Sequence, residues 1–211
     1  MGDNQRFYES PTAGARRSAP AALRNREPIS QVLKEWLPKR GLVLEIASGT
    51  GEHAIYFAER FASLDWQPSD IHPDALASIA AWRVQSALPN VCAALTLDAS
   101  EADWKICHAD AVLNINMVHI SPWKSTLGLL DGARNLLAEG SPLILYGPWI
   151  ADAIPTAPSN IAFDRDLRNR NPEWGLRKVE DFAAEAEVRG FRLAEVRPMP
   201  ANNLMLLLRR C

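Results

Sequence analysis

Cysteine is scarce in this chain. Cys92, Cys107 and Cys211 are the only three among 211 residues. They form an odd set with no paired spacing, which argues for free thiols in a reducing compartment and against a disulfide framework. Long apolar runs are missing too. No stretch approaches the roughly 20 consecutive apolar residues of a transmembrane helix, and the first residues alternate polar groups with Pro and Gly instead of building an apolar run before a cleavage site. A cytoplasmic chain without a membrane partner is the expectation. An excess of one charge is also absent: 23 Lys and Arg stand against 25 Asp and Glu, so no strong overall field draws in nucleic acid. The local exception is residues 1–26, with five arginines and two acids, read as a solvated terminal arm. No His, Cys and acid spacing resembles a metal site, so no metal is expected. There is no internal repeat.

What the chain does have is a hydrophobic fraction of 47%, enough at this length for one α/β domain with a real core, whereas a second full domain would be cramped. Its punctuation alternates strand and helix. Residues 1–27 read as an arm and 28–211 as the domain. Pro28 suits the first turn of a helix, continued by Ile29, Val32, Leu33 and Trp36. Leu42–Ile46 follows as a short apolar strand, then a glycine turn and a helix through Ile55, Phe57, Ala58 and Phe61. Leu64–Gln67 and Val91–Leu97 read as strands flanking a helix from Pro73 to Ala87. Ala109–Asn116 and Pro142–Tyr146 are further strands, separated by a helix that Ser121-Pro122 opens. A last helix through Val179, Phe182, Ala183 and Ala186 leads to a hairpin of Phe191–Val196 and Leu204–Arg209. This order predicts a Rossmann-like doubly wound sheet of seven strands, mostly parallel with one antiparallel strand near the edge. Residues 148–176, rich in proline and polar groups, are expected to form a lid inserted in that domain.

The segment Leu44-Glu45-Ile46-Ala47-Ser48-Gly49-Thr50-Gly51-Glu52-His53-Ala54 carries the most information. It runs strand, tight turn, helix, and Gly49 and Gly51 let a ligand approach the main chain closely. In doubly wound sheets the crevice beyond the carboxyl ends of the strands is where ligands bind. Gly49 to Ala54 also satisfies the Gly-x-Gly-x-x-Gly/Ala pattern of NAD-binding folds, which sets a pyrophosphate at a helix N-terminus. Glu45 and Glu52 would repel that pyrophosphate, while a sulfonium cofactor with a protonated amine avoids the clash. Asp70 follows the second strand, nineteen residues after Gly51, where a carboxylate can accept from ribose hydroxyls. Asp98 follows the third, placed to meet an adenine amino group. Acids after three successive strands favour S-adenosylmethionine over NAD. Either acid alone has a second reading, as the cap of the helix after it.

Leu44 to Gly51 resembles the first motif of class I S-adenosylmethionine-dependent methyltransferases, with Glu45 as its acidic residue and Ala47 where the first glycine usually stands. Gln67-Pro68-Ser69-Asp70, the run from Asn114 to Trp123, Tyr146-Gly-Pro148 and the set Phe163-Asp164, Leu167-Arg-x-Arg170 and Trp174-Gly175 resemble a narrower group. It is the methyltransferase-like protein 26 family, long described as a domain of unknown function, and the likeness runs from Arg6 to the C-terminus. The resemblance implies the class I fold and cofactor, and no established substrate. It implies Glu45, Gly49 and Gly51 around the methionine moiety, Asp70 at the ribose and Asp98 with Ala99 at the adenine, with Ala47 also among the cofactor-binding residues. Asn114 and Asn116 would lie beside the sulfonium, and Arg24-Asn25 would close over the cofactor; Asn25 has the alternative of belonging to the turn before Pro28.

Methyl transfer is an in-line displacement, and positioning alone can contribute roughly 7–11 kcal/mol to it. His119, just past the fourth strand, has two roles open: accepting the acceptor's proton, or steadying the Ser121-Pro122 turn. Tyr146 ends the fifth strand and can orient the acceptor or pack in the core with a wet hydroxyl. In the lid, Asp164 and Arg168 are spaced as an i,i+4 pair, and Arg168, Arg170 and Arg177 can clamp an anionic group or form surface ion pairs. Trp174 and Phe163 offer an aromatic wall. Asn114-Ile-Asn116-Met117 departs from the Asn-Pro-Pro-aromatic motif of adenine and glutamine-amide methylases, which disfavours those acceptors. The leading expectation is methyl transfer to a small-molecule O, N or S acceptor. An NAD-dependent oxidoreductase and a non-catalytic S-adenosylmethionine-binding protein are the rivals, and oligomeric state is left open.

Overall fold

The structure, a computed structural model, describes residues 15–101 and 103–211. Its elements are α1 (Pro20–Trp36), β1 (Gly41–Ile46), α2 (Glu52–Arg60), β2 (Leu64–Asp70), α3 (Pro73–Ser86), β3 (Leu95–Thr96), β4 (Ala111–Ile115), α4 (Trp123–Leu136), β5 (Pro142–Gly147), α5 (Pro158–Arg170), α6 (Val179–Val188), β6 (Phe191–Met199) and β7 (Asn203–Arg210). The strands form one sheet in the order β3-β2-β1-β4-β5-β7-β6. β2, β1, β4 and β5 pair in parallel, as β2 does with β3. β7 runs antiparallel to both β5 and β6. The crossover through α6 sets β6 one place beyond β5, and the hairpin return fills the gap, so β7 must run the other way. This is the Rossmann-like sheet expected from the sequence.

Both faces of the central strands are covered, because alternate side chains point to opposite sides. Leu44, Val112 and Leu145 face α4 and α6 through Leu129, Leu130, Phe182 and Ala186. Val43, Leu113 and Ile144 face α1 and α2 through Ile29, Leu33, Phe57 and Ala58. Burial on both sides is why these strands read as unbroken apolar runs. Among the described residues no helix is long and apolar enough to cross a membrane.

Several boundaries differ from expectation. Of the arm, residues 1–14 lie outside the described residues, and residues 20–27 belong to the first helix. The first helix opens at Pro20 with Ala19 as its cap, not at Pro28, which lies inside it. Pro20 fills the first helical position as well as Pro28 would, and Ala22 is buried, which extends the helix over the domain. β2 continues through Pro68 to Asp70. Its outer neighbour β3 pairs only at Ser69 and Asp70, so the missing N–H of Pro68 breaks no ladder bond. The third strand shrinks from Val91–Leu97 to Leu95–Thr96, with one bridge between Trp66 and Val91. Gln67 Nε2 donates to the carbonyl of Ala93 at 2.6 Å, a side chain standing in for the ladder. The 148–176 segment holds the thirteen-residue helix α5.

Leu113 is fully buried at the centre of β4. Leu113→Ala is expected to cost about 2–5 kcal/mol in denaturant unfolding. Val84→Ala, at a position 78% exposed, is expected to stay within about 0.5 kcal/mol; equal effects of the two would contradict the core described here.

Candidate active site

Parallel strands deliver their carboxyl ends to one edge of the sheet, and a cavity of about 840 Å³ opens there. Its volume lies within the roughly 300–1,000 Å³ range of small-molecule sites. The β1–α2 turn forms its floor. Ala47, Gly49 and Gly51 all have positive φ, at 56°, 57° and 88°. Ala47 thus keeps the left-handed conformation of a glycine position, at a cost of roughly 1–2 kcal/mol. Gly51 caps α2, and a Cβ there would meet the Ile79 backbone at 3.0 Å, so α3 reaches the turn only because that side chain is absent.

Hydrogen bonds lock this turn to β2. Asp70 Oδ2 accepts from the Gly49 N–H at 3.0 Å, and its Oδ1 accepts from the His72 N–H at 2.9 Å. Ser69 donates through Oγ to the carbonyl of Glu45 at 2.8 Å. Glu45 is buried, and Trp66 Nε1 donates to its Oε2 at 2.6 Å. Burial raises the Glu45 pKa to about 7, against the Trp66 and Ser48 hydrogen bonds and with help from the Asp70 charge. Asp98 Oδ1 accepts from its own loop, at the Ser100 N–H.

Glu52 is differently placed. It is buried but does not line the cavity. It accepts from Ser18 Oγ at 2.7 Å, from the Ala19 N–H at 2.6 Å and from Thr50 Oγ1 at 3.2 Å. Its carboxyl group therefore anchors the start of α1, which leaves Glu45 as the glutamate of this segment that lines the cavity.

The opposite wall comes from β4, β5 and the helices over them. Asn116, with φ 66°, turns the chain after β4 and brings His119 to the cavity. His119 is 1% exposed, and neither ring nitrogen has a hydrogen-bond partner. Its ring lies edge-on to Trp149, centroids 4.8 Å apart. A Cβ on Gly147 would come within 2.4 Å of its Nε2, so that glycine makes its space. Burial first, then the nearby Arg177 charge, push its pKa down to about 3. Tyr146 is also buried, and burial raises its pKa. His53, held near 4 by burial and the Arg26 charge, lies 2.7 Å from Asn25 Oδ1.

Of the residues singled out from sequence, Arg24, Asn25, Glu45, Ala47, Gly49, Asp70, Asp98, Ala99, Asn116, His119 and Tyr146 line the cavity together. Gly51 shapes the turn from behind. Asn114 is buried, and its Nδ2 donates to the carbonyl of Ile46 at 3.0 Å, tying β4 to β1. The lid set falls outside the lining. Asp164 accepts from Arg168 Nε and from the Leu176 N–H, at 2.9 and 2.7 Å, and Arg170 pairs with Asp166 at 2.7 Å. Arg177 donates to the carbonyls of Ser121 and Glu173 at 3.0 and 2.7 Å. Trp174 lies in the same stretch, away from the cavity. The reason is helical geometry: α5 turns Ser159, Asn160 and Phe163 inward, and Asp164 and Arg168 fall on another side. The sequence reading missed the turn from Pro200 to Asn203, which also lines the cavity. A signal existed: β6 runs in the direction of β1, so its carboxyl-end turn must lie at the same edge.

Residues 16–210 match the family described as protein of unknown function (DUF938). The chain belongs to that family. Among solved structures, this DUF938 member is similar to an O-methyltransferase family protein from Burkholderia thailandensis, with a TM-score of 0.76, 18% identity, and coverage of 90% of this chain and 57% of that one. A putative O-methyltransferase from Nostoc punctiforme PCC 73102 gives 0.77, 19%, 90% and 57%. CalO1, a methyltransferase in calicheamicin biosynthesis in its SAH-bound form, gives 0.75, 12%, 90% and 54%. The DUF938 chain thus spans a little over half the length of these proteins, and at such identities the likeness is one of fold.

Folding holds His53 and His119 neutral, with pKa values of about 4 and 3, whereas the unfolded chain protonates both below about 6.5. The unfolded state binds more protons in that window, so stability is expected to fall as pH drops from about 6.5 towards 3. His119→Phe should make this acid limb shallower in denaturant titrations, and an unchanged slope would show that His119 is not held neutral.

Proposed function

We propose that this chain binds S-adenosylmethionine in the cavity and transfers its methyl group to a small-molecule O, N or S acceptor. One observation carries the reading: acids from the tips of β1 and β2 and from the loop after β3 converge on a single cavity with a buried, unpartnered imidazole. The donor set suits a cation better than a dinucleotide, since Glu45 near pKa 7 loses its proton beside positive charge and keeps it beside a phosphate. When bound, the cofactor supplies an electrophilic methyl on a positively charged sulfur. Glu45, Ala47, Gly49 and Asn116 are assigned to its methionine side, Asp70 to the ribose, and Asp98 with Ala99 to the adenine. Gly51 and Asn114 act through the shape of the turn and the β4 tip. The narrower likeness to the methyltransferase-like protein 26 family and the O-methyltransferase neighbours support the same assignment.

His119 is the proposed base. It is neutral at pH 7 and has lone-pair capacity that nothing else uses, so it takes the proton of a hydroxyl, amine or thiol as that atom becomes the nucleophile. The walls of the cavity, including Phe163 and the Pro200–Asn203 turn, hold the acceptor and keep water out.

Calorimetric titration with S-adenosylmethionine against NAD tests the cofactor. Binding of the first is expected, tightening as pH rises from about 5.5 to 7 and levelling above, because Glu45 must give up its proton. Glu45→Gln should remove that dependence. Preferential binding of NAD would overturn the proposal. For chemistry, a screen of metabolite extracts for labelled methyl transfer identifies the acceptor. His119→Ala is then expected to leave cofactor affinity intact and to slow turnover by about 10²–10⁴-fold. Loss of binding and turnover together would assign His119 to the fold instead.

A further inference from the structure

Charge is spread unevenly round the cavity. Glu45, Asp70 and Asp98 line it from the β1–β3 side, and Arg24 from α1. From Ile115 to Asn203, no Asp, Glu, Lys or Arg lines it among the described residues. Arg168, Arg170 and Arg177 are spent on Asp164, Asp166 and backbone carbonyls instead. Met117, Ile120, Pro148, Phe163 and Pro200 wall this half, together with the unpartnered His119. An ionic acceptor would lose its water there and find no counter-charge, so the half suits an uncharged one.

Asn160 supplies a polar contact in this half. It stands in the first turn of α5, is 7% exposed and lines the cavity. Its Nδ2 donates to the carbonyl of Asn202 at 2.9 Å. A backbone carbonyl only accepts, so the carboxamide must present its NH2 group to Asn202 and turn its oxygen elsewhere. That oxygen accepts from no group among the described residues. Unlike the nitrogens of His119, it is not sealed inside the protein, and the open space that Asn160 borders is the cavity. The Asn202 side of the bond is fixed as well. Ala201 and Asn202 both have φ 57°, a conformation that persists only where the surroundings hold it, and Asn203 Nδ2 donates to the carbonyls of Pro200 and Ala201 at 3.1 and 3.3 Å. Asn160 is thus pinned with an unmet acceptor, which an incoming O–H or N–H satisfies.

We propose that Asn160 determines acceptor specificity in this cavity: its Oδ1 accepts a hydrogen bond from a hydroxyl or N–H of an uncharged acceptor, on a group other than the one that His119 deprotonates. The inference rests on the methyl-transfer reading and narrows its acceptor to a neutral molecule with a second hydrogen-bond donor.

Calorimetry on the full chain, alone and saturated with S-adenosylhomocysteine, tests this with phenols that differ at one substituent. Resorcinol carries a neutral donor there, 3-methoxyphenol a neutral acceptor, 3-hydroxybenzoate an anion and 3-hydroxybenzylamine a cation. Resorcinol is expected to bind about tenfold or more tighter than each of the others. Asn160→Leu should weaken resorcinol by about tenfold and leave 3-methoxyphenol unchanged, whereas a role confined to holding the turn would weaken both alike. In Asn160→Asp a carboxylate replaces the carboxamide, and 3-hydroxybenzylamine is expected to outbind resorcinol. That reversal carries the test should Asn160→Leu fail to fold. No binding of these phenols by the native chain, no preference for resorcinol, equal losses in Asn160→Leu, or no gain for the amine in Asn160→Asp each overturns the proposal. Should the native chain bind no S-adenosylmethionine, the cofactor assignment fails by itself, and the phenols titrated into the chain alone still read Asn160.

Discussion

The Asp70 carboxylate receives the Gly49 N–H on one oxygen and the His72 N–H on the other, and the geometry of the cavity hangs on that pair of bonds. A turn with three residues at positive φ has few backbone partners of its own, and a buried N–H without an acceptor costs about 1–3 kcal/mol. By meeting that need, Asp70 fixes the β1–α2 turn against the tip of β2. Ser69 adds a bond to the Glu45 carbonyl, and Asn114 ties β4 to β1 from the other side. Three adjacent strand tips are thereby held as one rigid edge, and the acids they carry are aimed at a common space. Capping and ligand binding, which are alternatives for Asp70 in isolation, are compatible in the fold: both oxygens hold backbone while the residue still lines the cavity.

A second constraint is the cost of burying charge. His119 and Tyr146 sit where water is largely excluded, so each stays uncharged near neutrality. Glu45 is brought to the edge of protonation by the same desolvation. Elsewhere, Glu52 is held by hydrogen bonds from Ser18 and the Ala19 N–H, and Arg24 stands exposed at the rim of the cavity.

The 148–176 segment shows how local pattern and tertiary role diverge. Asp164, Arg168 and Arg170 have the residue types of an anion clamp, yet their side chains close on one another and on the Leu176 backbone. Ion pairs four residues apart form on any helix surface, so the same spacing serves a ligand or merely the helix. What the segment contributes to the cavity is its small and aromatic face, Ser159, Asn160 and Phe163.

Strand and helix order, the antiparallel seventh strand and the glycine turn were legible in the chain because each depends on neighbours within a few residues. Apolar runs mark strands covered on both faces, and Gly49 and Gly51 mark a backbone no other residue favours. Edge positions were less legible: β3 is short, pairing only at Ser69 and Asp70, with the Gln67 side chain standing in for a ladder bond, and α1 begins early because Ala22 finds a buried place. The partners of Glu52 and Asn25 depended on chain folding back from α1 over α2. Sequence by itself determined which elements form and that acids follow successive strands. Only tertiary structure decided which side chains share the cavity and which are spent on one another, because hydrogen bonds and desolvation act between residues brought together by packing and not by their order in the chain.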